Sequence, residues 1–347
     1  MSTSFWLDCS FFFLCQEFDV IIVGVGIIGF FIVYWLEKES PFLRIAIIEK
    51  RRMGFGASGR NAGFVTCGSV EHFNRMISKH GLSQASEIWK FSETNRLLLQ
   101  QEIVQDQAKQ IQFEQKGAFS LAAQDHEFTE LKKCAELMAD LKIPTEIIEG
   151  RDIEKRLGAV NFVGGIKYLD DASTDPMALL TLMKSKIKTP IFEDVEVCRI
   201  ETAENGNKLL KTDKGDFVSS LVVLALNGYS AHLHPYFAGK IYPTRAQCLM
   251  LEAVPRFMEG PCYANFYLDY FRQLPSGELL IGGFRQLEKA TEVGISDHIT
   301  EVIQNSLHQF VMNYLPQFNK ALITHRWAGV MGFSKDGEPM VGSIPAD

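Results

Sequence analysis

The sequence predicts an α/β fold mixed with antiparallel α+β elements, and three features carry that prediction. Phe18 to Lys50, FDVIIVGVGIIGFFIVYWLEKESPFLRIAIIEK, reads as strand, glycine turn, helix, strand and acid, the order of a Rossmann-like unit. From Ser69 to about residue 190, helix-patterned segments alternate with short apolar runs. From Ile191 to Phe284, strand-like runs are joined by Gly- and Asn-containing turns of hairpin type.

In the first stretch, Val20 to Val23 is the apolar run that a buried parallel strand needs. Gly24, Gly26 and Gly29 follow in the spacing G-x-G-x-x-G. Gly24 permits a tight strand-to-helix turn, Gly26 lets the backbone approach a pyrophosphate, and Gly29 allows close helix–strand packing. Val25, Ile27 and Ile28 complete that turn. N–H groups at a helix start have no intrahelical acceptors, and the helix dipole favours an anion beside them. The helix is expected to reach about Lys38, and Ile45 to Ile48 is the second strand. Glu49 stands 20 residues past Gly29 (49 − 29), at the tip of that strand, with Lys50 beside it. A carboxylate there accepts hydrogen bonds from ribose hydroxyls and repels a 2′-phosphate. A membrane-spanning helix over residues 18–36 competes on length, since Asp19 is its single charge. The glycine spacing and the charged turn EKESP argue against it. A nucleotide-free core would leave Gly24 and Gly26 without a purpose.

Composition sets outer limits. The 347 residues are 46% hydrophobic and 22% charged, ordinary globular values, and the length suggests about two domains. A formal charge of −7 without a basic patch excludes nucleic acid as the expected partner. The seven cysteines are scattered and contain no C-x-x-C, and the eight histidines contain no H-E-x-x-H. Neither a metal site nor a disulfide framework is expected, and the chain is expected in the cytoplasm. Residues 1–17 are apolar but lack a basic start, and Asp8 interrupts them. They read as an arm packed on the domain, with no stable membrane insertion.

The remaining elements follow from local pattern. Residues 54–69 hold five glycines interleaved with Ser58, Arg60 and Asn61, a loop whose backbone passes close to a ligand. Arg60 is suited to a phosphate or to an electron-rich ring edge. Ser69 caps a helix that Gly81 closes, and a second helix is expected from Ser83 to about Lys109. Residues 117–123 and Gly164 to Leu169 read as strands. Glu127 to Leu141 and Arg151 to Leu157 read as helices. Asp175 and Pro176 open another helix. Ile191 to Ile200, Leu209 to Thr212 and Val218 to Ala225 form an expected antiparallel block. Tyr242 to Glu252, Cys262 to Arg272 and Leu279 to Phe284 are further expected strands. Asp297 to Tyr314 is a helix, and two short strands are expected around Lys335-Asp336-Gly337.

DVIIVGVGIIG, Glu49, GASGRNAGF, YLDDAST-DP, PTRAQ and WAGVMGFSKDGEPMVG together resemble the FAD-dependent oxidases and dehydrogenases of the D-amino-acid oxidase/glycine oxidase superfamily. GASGRNAGF is most similar to the gamma-glutamylputrescine oxidase-like branch. The resemblance covers nearly the whole chain. It implies FAD and a Rossmann-like FAD-binding domain with an inserted antiparallel-sheet substrate domain. The FAD part would take residues 18–82, 150–235 and 325–347, and the substrate part 83–149 and 236–324. By position, Val197 matches the residue whose backbone meets adenine, and Gly228 lies on the pyrophosphate side. Gly56, Ala57, Ser58, Arg60, Asn61, Ala62 and Gly63 would border the isoalloxazine and phosphates.

Relatives often carry Arg, gripping a substrate carboxylate, where Met331 stands. Ala246 replaces a usual glycine, and relatives continue beyond the position of Asp347 with a loop and helix that finish the flavin site. The expected reaction is oxidation of a C–N bond of an amine or amino acid, with hydride passing to flavin N5 and the imine hydrolysing. Oxygen or another acceptor then takes the electrons. This chemistry belongs to the cofactor, so no catalytic residue is named. Phe64, Tyr270, Arg272, Trp327 and Met331 are the expected substrate-pocket residues, although each is equally at home in a core or on a surface. A substrate carboxylate would need Arg60, Arg245 or Arg272 at the flavin face. The alternatives are a flavin-dependent 2-hydroxy-acid dehydrogenase and a non-catalytic nucleotide-binding remnant.

Overall fold

The computed structural model describes residues 13–265 and 269–345. Most of the expected N-terminal arm therefore lies outside the described residues. In chain order, β1 (Phe13–Val23), α1 (Ile27–Glu39) and β2 (Ile45–Ile48) form the opening unit. Next come β3 (Phe64–Val65) and α2 (Val70–Leu98). The Ser69 hydroxyl caps α2 by accepting the His72 N–H, and Gly81 (φ 81°) breaks it as expected. The second half ends earlier than Lys109, in a wide turn over Leu99–Val104 that closes at Gln105 (φ 46°).

β4 (Ala118–Ala122), α3 (Asp125–Asp140), β5 (Thr145–Glu149), α4 (Gly150–Leu157) and β6 (Gly164–Tyr168) follow. The sequence reading missed β5. It is a sheet edge with only Ile148 buried, so its apolar signal is weak. Then come β7 (Ala172–Ser173) and α5 (Pro176–Lys186), whose Asp175 cap accepts the Met177 and Ala178 N–H groups.

Ile191 to Ile200 is not one strand. β8 (Ile191–Phe192) and β9 (Val197–Thr202) are separated at Asp194, which has φ 57°. β10 (Lys208–Thr212) and β11 (Gly215–Leu224) complete the block, followed by the short α6 (Ser230–Leu233). β12 (Ile241–Leu251) matches expectation. Cys262 to Arg272 is instead a hairpin of β13 (Cys262–Ala264) and β14 (Asp269–Gln273), because Asn265 turns the chain at φ 50°. After β15 (Leu279–Gly282), α7 spans Glu301–Tyr314 and not Asp297 onward. The end is a single strand, β16 (Ile323–Ser334), and no second strand follows among the described residues.

Two sheets organise the molecule. The six-stranded sheet runs β8-β2-β1-β11-β10-β9, parallel from β8 to β11 and antiparallel beyond. β1 lies between β2 and β11, so a crevice opens beyond its C-terminal end, where nucleotides bind in such sheets. The eight-stranded sheet runs β16-β12-β15-β14-β13-β4-β6-β5 and is antiparallel except between β13 and β4. Strand pairing puts β6 and β16 in this larger sheet, although the expected segmentation gave residues 150–235 and 325–347 to the nucleotide part. β3 and β7 form a two-stranded ribbon. One apolar core packs α7 against the larger sheet through Leu307, Phe310, Leu249 and Phe271. Another packs α1 and α5 on the smaller sheet through Phe30, Val33, Ile22 and Leu180.

Candidate FAD and substrate site

The glycine turn is built from steric exclusion. Gly24 has φ +110°, and a Cβ there would lie 2.6 Å from the Ala225 carbonyl oxygen. A Cβ on Gly29 would lie 2.1 Å from the Gly24 carbonyl oxygen, so the helix start folds back onto its own turn. A Cβ on Gly26 would meet Ser58 Oγ at 2.9 Å. Ser58 Oγ accepts the Ile27 N–H at 2.9 Å, which places the second glycine loop over the helix start. Ile28 is 60% exposed at that start, large and apolar yet uncovered by protein.

Glu49 sits at the tip of β2, beside the turn. Its Oε2 accepts the Val25 N–H at 3.0 Å and its Oε1 the Arg51 N–H at 2.9 Å. The Val195 N–H donates to the Glu49 carbonyl, and Lys50 pairs with Glu196 at 2.7 Å. These contacts bring the segment leading to Val197 alongside Glu49. Gly228, at the other side of the crevice, packs closely on Val330 and Met331, where an added Cβ would lie 3.0 Å from Val330 Cγ1. A close-approach turn at a helix start and an acid at the next strand tip fit the diphosphate and ribose of FAD.

The loop from Gly54 to Gly63 is rigid by its own bonds. The Asn61 amide donates to the Ala57 and Ser58 carbonyls and accepts the Gly63 N–H. A Cβ on Gly56 would meet nothing within 4 Å, an opening beside this loop. Half-buried Ala57 and buried Ala62 flank the turn. Arg60 is spent on protein contacts. Its Nε donates to the Phe55 carbonyl, its Nη1 donates to the Ala328 carbonyl at 2.7 Å, and it pairs with Asp297 at 3.1 Å. The Trp327 indole N–H donates to the Arg60 carbonyl at 2.9 Å. Arg60 therefore ties the loop to β16.

The expected substrate-pocket residues Tyr270, Trp327 and Met331 fall on one face of the larger sheet. Trp327 pairs with Cys248, Cys248 with Gly282, Gly282 with Tyr270 and Tyr270 with Tyr263, so all five share a row. Phe64 stands over this row, its ring centroid 5.0 Å from Tyr263 and 6.0 Å from Tyr270, both edge-on. The Tyr263 hydroxyl bonds Thr66 Oγ1 at 3.0 Å, and the Tyr270 hydroxyl lies 3.5 Å from Cys248 Sγ. Burial pushes both phenols well above their ordinary range, so they stay protonated. Met331 lies on the same face, four residue pairs beyond the Trp327 pair, opposite Thr244.

The structure thus brings Phe64, Tyr270 and Trp327 together, with Met331 at one end. Tyr263 and Cys248 share this row and were not among the expected residues. Arg272 is different: only 4% exposed, it donates from Nη1 to the Gly63 carbonyl at 3.2 Å, and burial lowers its pKa to about 10. Arg245 lies on the opposite sheet face in a buried pair with Glu292 at 2.9 Å, so it is not a cation for the flavin face. Among the described residues, no group of three or more potential metal ligands comes together, and no helix is long and apolar enough to cross a membrane.

Fold and site together define an FAD-dependent oxidoreductase. Residues 19–347 match the family model described as DAO, FAD dependent oxidoreductase, and the chain belongs to that family. It is 26% identical over 345 residues to glycine oxidase of Geobacillus kaustophilus, covering 96% of this chain and 86% of that one. It is 20% identical over 342 residues to gamma-glutamylputrescine oxidoreductase of Escherichia coli, covering 94% and 76%. The crystal structure of the Geobacillus glycine oxidase superposes with a TM-score of 0.80 at 21% identity, covering 95% of this chain and 86% of that chain.

Proposed function

We propose that this protein oxidises a C–N bond of an amine, with the amino group held before an aromatic wall. Bound FAD supplies the two-electron acceptor, and oxygen or another acceptor in the cytoplasm reoxidises it. The observation that carries the reading is the row Trp327, Tyr270 and Tyr263 with Phe64 over it and Met331 at its end. Aromatic faces favour an alkylammonium group and its apolar chain. An isolated carboxylate buried here costs several kcal/mol unless a cation meets it. Met331 supplies volume without charge, Arg60 is committed to Asp297, and Arg272 lies beneath the Gly63 turn. Small α-amino acids accordingly lack an anchor. The nucleotide crevice and the larger sheet act as two parts of one enzyme, cofactor part and substrate part.

Anaerobic mixing of the holoenzyme with putrescine, N-acetylputrescine, spermidine, glycine and D-alanine, followed at the flavin absorbance maximum, tests this. At least one amine should bleach the flavin faster than either amino acid. Faster bleaching by glycine or D-alanine would overturn the amine reading. Arg272→Met would then identify the carboxylate anchor by abolishing that reaction.

A further inference from the structure

Among the described residues, three buried side-chain polar atoms lack a partner: Arg96 Nε, Asp171 Oδ2 and Arg272 Nε. The first two belong to one cluster at the root of the β3–β7 ribbon. Asp171 is 2% exposed and Arg96 6%. Asp171 Oδ1 accepts the Cys67 N–H at 3.2 Å, and the Asp171 carbonyl accepts the Gly117 N–H at 2.9 Å. Arg96 donates from Nη1 to Gln100 at 2.9 Å, and its Nη2 lies 3.5 Å from the half-exposed Asp170. Arg96 and Asp171 both act on the Cys67 thiol, which burial, followed by the Asp171 charge, pushes up to about 12.

This cluster touches the substrate wall through a short path. Asp171 directly precedes β7, and Cys67 follows β3 by two residues. The same ribbon carries Phe64, which stands on Tyr263 and Tyr270, and leads into Thr66, which bonds the Tyr263 hydroxyl. The charged and titratable groups around Asp171 are Arg96 and Glu93 from α2, the neighbouring Asp170, Cys67, Tyr168 and Tyr263. Arg96 Nε and Asp171 Oδ2 both lack a partner, and the Arg96 charge favours the ionised Asp171 carboxyl. A neutral Asp171 leaves that guanidinium to Asp170.

We propose that Asp171 is a positioning residue that, through its exchange of Arg96 with Asp170, sets the β3–β7 ribbon and with it the Phe64 side of the substrate wall. The titration falls in a useful range. Burial, the largest cause, pushes the carboxyl up to about 7, with the Cys67 N–H and Arg96 opposing and Asp170 and Glu93 adding. At lower pH the neutral carboxyl releases Arg96. At higher pH the carboxylate draws it in and pulls the ribbon towards α2.

Two optical probes read this. Trp89 lies beside Gly68 and packs on Tyr168, 6.1 Å between centroids, so its emission reports the cluster without flavin. The visible circular dichroism of the bound flavin reports the pocket. Both should titrate together in the holoenzyme as a one-proton transition between about pH 6 and 8. Asp171→Asn should flatten both, and Asp170→Asn should keep both but lower their midpoint, because the Asp170 charge and its competing claim on Arg96 are gone. Arg96→Gln should raise the midpoint by about one pH unit, because the cation that favours the carboxylate is gone. A transition that survives Asp171→Asn, or no transition in the wild type, would overturn the proposal. Titration of Trp89 with a pH-independent flavin signal would overturn the positioning role. If Asp171→Asn does not fold, an unchanged midpoint in Arg96→Gln overturns it instead. None of these readouts uses an amine, so the failure of the amine reading remains distinguishable.

Discussion

The proposed cofactor crevice and the proposed substrate wall are built in opposite ways. The crevice is made by backbone and by the absence of side chains: Gly24, Gly26 and Gly29 within six residues, with Glu49 at the next strand tip. The wall is made by side chains from β16, β12, β14 and β13, with Phe64 added from the ribbon. The first is fixed by backbone closeness, within the turn at Gly29 and across the chain at Ala225 and Ser58, and the second by strand register. Changes in the crevice should therefore act almost as all-or-none, and changes in the wall should be graded.

The largest effect is expected at Gly29. A valine there drives Cβ into the Gly24 carbonyl oxygen, which is backbone and has no rotamer to yield. Gly29→Val should cost about 3 kcal/mol or more and give insoluble protein. A soluble, yellow variant in an expression and absorbance assay would break the contrast. Gly26→Val is milder for the fold, since the nearest atom is the Ser58 hydroxyl at 2.9 Å. It should fold, yet bind flavin at least about 100-fold more weakly in fluorescence titration, because the pyrophosphate loses its approach. Full flavin retention would put the diphosphate elsewhere.

Glu49→Ala should weaken FAD by about tenfold to 100-fold, the range for hydrogen bonds to a charged group. The Val25 and Arg51 N–H groups also lose their acceptor, so a fall of thermal midpoint without flavin is expected too. An unaltered dissociation constant in calorimetry would remove Glu49 from the ribose site.

Beside the larger sheet, Glu259 bonds Arg156 of α4 and Lys167 of β6 and its pKa is held at about 2, Arg156 being the largest cause. Its folded value lies below its unfolded value, so this stability is present above about pH 4.5 and is lost as pH falls towards 2. Glu259→Gln should cost about 1–2 kcal/mol at pH 7, after allowance for partial exposure. The deficit should shrink in denaturant melts at lower pH, and a constant deficit would count against the ion pairs. The smallest effect is expected from Tyr270→Phe, which removes only the hydroxyl contact with Cys248. It should change KM for an amine by less than about fivefold, consistent with a weak sulfur contact. A collapse of kcat would make the phenol part of the chemistry.

The sequence by itself determined the opening strand–turn–helix–strand unit. Strand, glycine turn, helix, strand and acid are each local patterns, and the structure returns α1 and β2 within a residue of expectation. Trp327 and Met331 were also legible, since an even separation of four puts them on one face of β16. Only the tertiary structure decided the rest of the wall. As one strand, Cys262 to Arg272 would send Tyr263 and Tyr270, seven apart, to opposite faces. The turn at Asn265 pairs them directly and puts both on the same face. Arg272 looked free at the end of a strand, yet it lies under the Gly63 carbonyl, a contact across 209 residues. Local pattern specifies what a segment becomes. Which surface it meets depends on register and packing between segments far apart in the chain, and these carry no local signature.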